Sequence, residues 1–202
     1  ENARNNYALI DLIYEVFVKK EYMRQAQIAN GDVVVDIGAN IGTFSLFASR
    51  KTNNAIHAIE PNPAILQFLE KNLAENNATQ VKVHGCAIGG AAGILKFDDG
   101  AIPKVSLQQF MDDNHLLKID FLKIDCEGAE GEILKYTPPA YLQRIETIAI
   151  EYHDDVSEAD HQKMRDILEG AGFTTQVKPV PNSEHGLGHL YGMRSAQGSD
   201  RR

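Results

Sequence analysis

"GDVVVDIGANIGTFSLFASRK", Gly31 to Lys51, changes its period partway along. Val33, Val34, Val35 and Ile37 make a short β-branched run after a glycine turn signal, which reads as a buried strand. From Thr43 onward, "TFSLFASRK" takes a helical period. Between the two, Gly38 and Gly42 let the backbone turn tightly and approach a ligand closely. Free N–H groups at the helix start would face whatever binds there.

The same alternation runs outward from this unit. Strands are predicted over 55–60, 80–88, 93–97, 120–125 and 146–153, and helices over 62–77, 106–115, 129–136 and 157–171. Pro63 sits in a first helical turn and Asn62 is placed to cap it. Alternating strands and helices predict an α/β fold with a doubly wound, mostly parallel seven-stranded sheet. The final strands, "FTTQVKP" and "HLYGMR", follow each other without a helix, so an antiparallel strand closes the sheet. Upstream, Leu9, Ile10, Ile13, Tyr14, Phe17 and Val18 share one face, which predicts a helix over 7–28 packed on the domain and offering a homodimer surface. The domain plan is an N-terminal helical extension (1–30), one domain (31–194) and a disordered tail (195–202). Between Phe97 and Val105 the chain is short for a crossover, and we expect a lid loop to be missing between residues 98 and 105.

With 202 residues, 43% of them hydrophobic and 24% charged, the chain has the composition of a globular domain. The net charge of -8 and the lack of a Lys/Arg run argue against nucleic acid or an anionic membrane surface as partner. No apolar run approaches the roughly 18 residues that span a bilayer, so no membrane insertion is expected. Cys86 and Cys126 form no CxxC pair, which suits a reducing, cytoplasmic setting.

Glu60 ends the strand after the glycine loop, 22 residues beyond Gly38, where a carboxylate can accept from both ribose hydroxyls. That pairing selects a nucleoside ligand and leaves two cofactors open, a nicotinamide dinucleotide and S-adenosylmethionine (SAM). Three features favour SAM. The loop is G-x-x-x-G and lacks the middle glycine that seats a pyrophosphate. Asp36 would repel a pyrophosphate, yet it can organise a loop around a cationic ligand. The closing pair of strands is the third.

"FLKIDCEGAEGEIL", Phe121 to Leu134, turns carboxylates out of an apolar strand. Residues two apart share a strand face, so Lys123, Asp125 and Glu127 project together at the carboxyl end, where open α/β sheets bind ligands. Lys123 reads as the partner of a neighbouring carboxylate. Glu130 falls in a first helical turn, where the helix dipole alone could account for it, and Glu132 reads as a solvated face. His153 ends "IAIEYH" beside the same crevice, and an imidazole near pKa 6.5 suits a general base. Glu151 could orient it, and His189 reaches the same rim. His57, His84, His115, His161 and His185 read as structural or solvent-facing. Asp125, Glu127 and His153 could hold a divalent ion, but their spacing does not specify one, and the favoured reading is no metal.

"VVVDIGANIGTFS", "AIEPNP", "CAIG" and "FLKIDCEGAEGEIL" together resemble the FkbM-type SAM-dependent methyltransferases, over roughly Asp32 to His153. The resemblance implies a class I methyltransferase sheet of Rossmann-like plan, SAM as methyl donor, S-adenosylhomocysteine as product and a hydroxyl acceptor on a sugar, glycan or polyketide-type natural product. It places Asp36, Gly38, Asn40 and Gly42 at the methionine side of the cofactor and Glu60 at the ribose. Asn62 falls near the adenosine, with Cys86, Ala87 and Ile88 flanking the adenine. Asp125, Glu127 and His153 stand at the reacting centre. Two other readings stay open, a nicotinamide-dependent oxidoreductase and a noncatalytic SAM-binding module.

Overall fold

The computed structural model of the chain describes residues 10, 12–97, 100–181, 183 and 186–194. Among these residues the strands are β1 (Val34–Ile37), β2 (Ile56–Ile59), β3 (Val81–His84), β4 (Ala87–Gly89), β5 (Gly93–Phe97), β6 (Gly100–Ser106), β7 (Ile119–Ile124), β8 (Ile145–His153), β9 (Phe173–Pro179) and β10 (Leu187–Arg194). The α-helices are α1 (Thr43–Ser49), α2 (Pro63–Glu75), α3 (Leu107–Asp113), α4 (Glu130–Tyr136), α5 (Pro139–Leu142) and α6 (His161–Gly170).

Every residue of β1 is buried, as a β-branched run covered on both faces requires. β1 pairs in parallel with β2 and β7 near the middle of a seven-stranded sheet ordered β3-β2-β1-β7-β8-β10-β9. β10 alone runs antiparallel, against both β8 and β9. The predicted doubly wound sheet with an antiparallel closing strand is therefore the observed one. On one face Leu122, Ile124, Ile148 and Ile150 pack with Met111, Ile133, Leu134, Met164 and Leu168. Burying each such side chain contributes roughly 1.5–3 kcal/mol. Phe121 and Ala149 face the other side, where Phe44 and Phe47 of α1 cover them. The alternation carries Lys123, Glu151 and His153 toward that second side, at its upper edge.

Four boundaries differ from the sequence reading. Residues 80–88 are two strands, because the chain breaks at Gly85 and Cys86 and β4 leaves the main sheet to pair with β6. β5 and β6 pair antiparallel from Gly93↔Lys104 to Phe97↔Gly100, so 100–106 is a strand of this small sheet. Residues 98 and 99, within the expected lid gap, lie outside the described residues. The helix predicted from 157 starts only at His161, where Asp160 accepts from Lys163 N at 2.9 Å.

The N-terminal helix also ends early. Residues 7–9 and 11 lie outside the described residues, as do His185 and the tail 195–202. A π-helical turn (Tyr14–Lys19) stops at Lys20, whose φ is +51°, and a 3-10 turn (Glu21–Met23) follows. The left-handed residue redirects the chain and turns Tyr22 and Met23 inward. They pack with Val16, Ile28, Val34 and Phe44, so this segment is part of the core beside the sheet's upper edge. Ile10, Ile13, Tyr14 and Val18 stay exposed.

Candidate active site

The glycine loop after β1 holds three residues at positive φ: Gly38 (+76°), Asn40 (+50°) and Gly42 (+90°). Gly38 also has no room for a side chain, since a Cβ there would lie 1.7 Å from the Asp125 carbonyl oxygen. The loop amides are all engaged within the protein. Gly38 N and Ala39 N donate to Ile59 O, and Gly42 N donates to Ala39 O. Asn40 N donates to Glu60 Oε2 at 2.9 Å, and Ile41 N donates to Asn40 Oδ1 at 2.8 Å. No row of free N–H groups is left in Gly38–Gly42 to cradle a pyrophosphate.

Asp36 is fully buried beneath this loop. Its Oδ2 accepts from Ser45 Oγ at 2.7 Å, and its Oδ1 lies 3.1 Å from Lys123 Nζ. Its carboxylate faces inward and braces the loop, the organising part that the sequence reading gave Asp36 beside its place at the methionine side. Lys123 is buried too. Its ammonium donates to Gly38 O at 2.7 Å and lies 3.3 Å from Asp125 Oδ2. Burial alone would lower the Lys123 pKa, but Asp36 and Asp125 outweigh it and hold the group above its ordinary value. As the spacing predicted, Lys123 pairs with carboxylates.

Glu60 stands just past β2, its Oε2 on Asn40 N and its Oε1 accepting from Asn62 N at 2.8 Å. Each oxygen keeps a lone pair for a further donor. Burial raises its pKa against the pull of those two amides. Asn62 caps α2, accepting from Ala64 N at 2.9 Å, so its predicted capping role is the one its side chain performs. Cys86 is half-buried, and burial pushes its thiol up. Ala87 is buried in β4.

Asp125 follows β7 and is fastened to β1 by its own amide, which donates to Ile37 O at 3.1 Å. Tyr22 Oη donates to Asp125 Oδ2 at 2.8 Å and lies 3.1 Å from Glu151 Oε2. Glu151 Oε2 in turn faces His189 Nε2 at 3.3 Å, the two residues being directly opposed across β8 and β10. Burial lifts the Asp125 pKa to about 6, with Lys123 opposing and Glu151 assisting. Tyr22 went unread in the sequence because it lies 103 residues from Asp125 and carries no motif.

His153 is buried at the end of β8 with a carboxylate on each side. Nδ1 is 3.4 Å from Glu130 Oε1 and Nε2 is 3.5 Å from Glu127 Oε2. Glu130 raises its pKa to about 9, against the opposing effect of burial. The carboxylates on both sides favour the imidazolium form of His153, whereas the sequence reading took it as a free base with an ordinary pKa near 6.5. Glu130 does begin α4, but more than the helix dipole holds it there. It is fully buried, and its Oε1 accepts from Cys126 N at 3.0 Å and from Gly128 N at 3.1 Å. Burial would raise its pKa, but His153 and the amides bring it below the ordinary value. Glu127 has φ +59° and an exposed side chain. One ligand atom each from Asp125, Glu127 and His153 falls within 4.8 Å of the others, a spacing that could hold a divalent ion. Glu132 pairs with Lys104 at 3.2 Å.

Away from this edge, His57 and His84 stack with Nδ1 and Nε2 3.0 Å apart. Burial lowers both, His57 to about 4. They are structural, as read.

The sequence model of a family described as "Methyltransferase FkbM domain" matches residues 36–175. The chain is 26% identical to the 31-O-demethyl-FK506 methyltransferase FkbM of Streptomyces tacrolimicus, over 84% of each protein. It is 27% identical to the hexuronic acid methyltransferase AglP of Haloferax volcanii, over 76% of this chain and 68% of that protein. The alignment with the Streptomyces protein runs over 220 positions, more than this chain's 202 residues, so that relative carries stretches with no counterpart here. Among solved structures, the fold is similar to that of methyltransferase FkbM from Methylobacillus flagellatus, with a TM-score of 0.67 and 22% identity. That match covers 89% of this chain and 47% of the other.

Proposed function

The chain belongs to the FkbM methyltransferase family, and from that premise we propose that it transfers a methyl group from SAM to a hydroxyl on a sugar, glycan or polyketide-type acceptor. The observation that carries the choice of cofactor is the donor-poor loop. Its amides from Gly38 to Gly42 are all engaged, while Glu60, Asp125, Glu127 and Glu151 make the edge rich in acceptors. A pyrophosphate needs free N–H groups, and a cofactor with a sulfonium and an amino group needs acceptors. The engaged amides from Gly38 to Gly42 weigh against the nicotinamide reading. Gly38, Asn40 and Gly42 would hold the methionine side and Glu60 the ribose, with Asn62, Cys86 and Ala87 toward the adenosine. Asp36 acts from below by fixing the loop.

When bound, SAM supplies a methyl group on a sulfonium that an acceptor oxygen can displace in line. The protein's task is to align that oxygen and to take its proton. Holding reacting atoms about 3–3.5 Å apart supplies much of the acceleration. Asp125 is the group suited to the proton. Its carboxyl titrates near 6, close enough to neutrality for transfer in either direction. In its imidazolium form His153 contributes a positive charge beside it, and Glu127 is the exposed carboxylate on the same rim. The name of one relative, 31-O-demethyl-FK506 methyltransferase, supports an oxygen acceptor, and that of the other, hexuronic acid methyltransferase, is compatible with one.

The test is incubation with SAM carrying a deuterated methyl group and a set of hydroxylated acceptors, including p-nitrophenyl β-D-glucuronide. Mass spectrometry should find the label as a methyl ether. Label on nitrogen or carbon, or on no acceptor, would overturn the assignment.

A further inference from the structure

Tyr22 carries one hydroxyl hydrogen and faces two carboxylates. Its Oη lies 2.8 Å from Asp125 Oδ2 and 3.1 Å from Glu151 Oε2. With both acids ionised it can donate to only one of them, and the other contact places oxygen against oxygen with no hydrogen between. The neighbouring cations do not remove the mismatch. Lys123 sits 3.3 Å from Asp125 Oδ2 but is shared with Asp36 and the Gly38 carbonyl. His189 Nε2 lies 3.3 Å from Glu151 Oε2, while its buried Nδ1 has no hydrogen-bond partner among the described residues.

One added proton resolves the arrangement. If Asp125 gains a hydrogen on Oδ2, that hydrogen points at Tyr22 Oη, and the Tyr22 hydroxyl turns to donate to Glu151 Oε2. Every oxygen-to-oxygen contact in the row then contains a hydrogen. The Tyr22 ring need not move. It is clamped edge-on between Phe44, with ring centroids 5.5 Å apart, and His189, at 6.1 Å. Only the hydroxyl hydrogen reorients.

We propose that Asp125, Tyr22 and Glu151, backed by His189, form a proton-storing row that takes up the hydrogen released when an acceptor hydroxyl is methylated. This rests on the O-methylation reading above. The balance is one proton. The acceptor O–H bond breaks as its oxygen bonds to the methyl carbon, the carbon–sulfur bond breaks, and its electron pair stays on sulfur. The hydrogen passes to Asp125 and stays there; Tyr22 accepts from it and turns its own hydrogen to Glu151, while Glu151 and His189 keep their protonation. Asp125 touches the reacting atoms, while Tyr22, Glu151 and His189 act through it as positioning residues. The charged groups facing the row from other elements are Lys123 on β7, Asp36 on β1, Glu127 and His153 at the rim, and Glu15 and Glu21 on the N-terminal turns.

Tyr22→Phe tests the row by deleting the hydroxyl and keeping the packed ring. The measurement needing no acceptor is NMR of the ¹⁵N-histidine-labelled protein with S-adenosylhomocysteine, titrated from acid to base. In the parent protein the His189 nitrogens should report a second inflection as Asp125 titrates, and Tyr22→Phe should abolish it. A His189 titration curve unaltered by Tyr22→Phe would overturn the proposal. The kinetic arm uses SAM and p-nitrophenyl β-D-glucuronide. Tyr22→Phe and Glu151→Gln should each lower kcat at least about tenfold, the lower end of what positioned proton transfer contributes. The KM for SAM should hold, and the double variant should be no slower than the worse single, as expected of groups acting as one unit. Parent-level kcat in Tyr22→Phe would also overturn it. Failure of the parent protein to methylate that glucuronide counts against the acceptor reading alone, since the NMR result decides the row independently.

Discussion

Lys123 and Asp36 stand 3.1 Å apart on neighbouring strands, both sealed from water. The pair ties β7 to the base of the glycine loop, and the same ammonium reaches the Gly38 carbonyl and Asp125. Lys123→Met would leave two buried carboxylates without their cation. Stability should drop by roughly 3–5 kcal/mol, the range for breaking a buried pair from one side. Urea unfolding monitored by circular dichroism checks this, and a loss below about 1 kcal/mol would mean that the pair behaves like a surface contact.

Gly38→Ala should be damaging for two separable reasons. The +76° φ costs an L-residue about 1–3 kcal/mol, and the new methyl group would overlap the Asp125 backbone oxygen. The variant should melt at lower temperature and bind S-adenosylhomocysteine more weakly. By contrast, Gly31→Ala, also at positive φ but with nothing within 4 Å of the added Cβ, should show only the backbone strain.

Glu130→Gln keeps an oxygen for the Cys126 and Gly128 amides but removes the charge beside His153. The His153 titration should then fall from about 9 toward its ordinary value, read from its ring resonances by NMR. A midpoint that stays near 9 would assign the shift to Glu127 and Asp125 instead.

The two histidine environments give opposite stability limbs. His153 has a raised folded pKa, so its stabilising effect is complete below about pH 6.5 and is lost as pH rises through about 9. His57 has a folded pKa lowered to about 4, so its neutral form supports the fold above about 6.5, and that support is lost as pH falls toward 4. Denaturation midpoints across pH should therefore decline on both sides of about 6.5, with His153→Gln flattening the alkaline limb and His57→Gln the acid one.

The sheet was legible because β1, β2, β7 and β8 are apolar runs whose period and punctuation are local properties. The cap at Asn62 and the closing antiparallel strand were legible for the same reason. Where the reading failed, a neighbour distant in sequence decided the outcome. For Asp36 nothing in the sequence signalled its buried pairing with Lys123, which comes from a strand far along the chain. Glu130 satisfied a helix-dipole rule, yet its burial beneath His153 depends on how β8 meets α4. Tyr22 sat in a segment read as continuous helix, and only the left-handed Lys20 brings its hydroxyl to Asp125. In the same way the break at Gly85 and Cys86 sends β4 to a partner strand, β6, that had been read as a bare loop.

The donor-poor glycine loop with Glu60 as its acidic partner is tested most directly by calorimetric titration with S-adenosylhomocysteine and, in parallel, NAD⁺. The expected result is saturable S-adenosylhomocysteine binding that Glu60→Ala weakens by about tenfold, equivalent to ~1.4 kcal/mol, with no heat of binding from NAD⁺. Saturable NAD⁺ binding with none for S-adenosylhomocysteine, or an affinity for S-adenosylhomocysteine that Glu60→Ala leaves untouched, would contradict it.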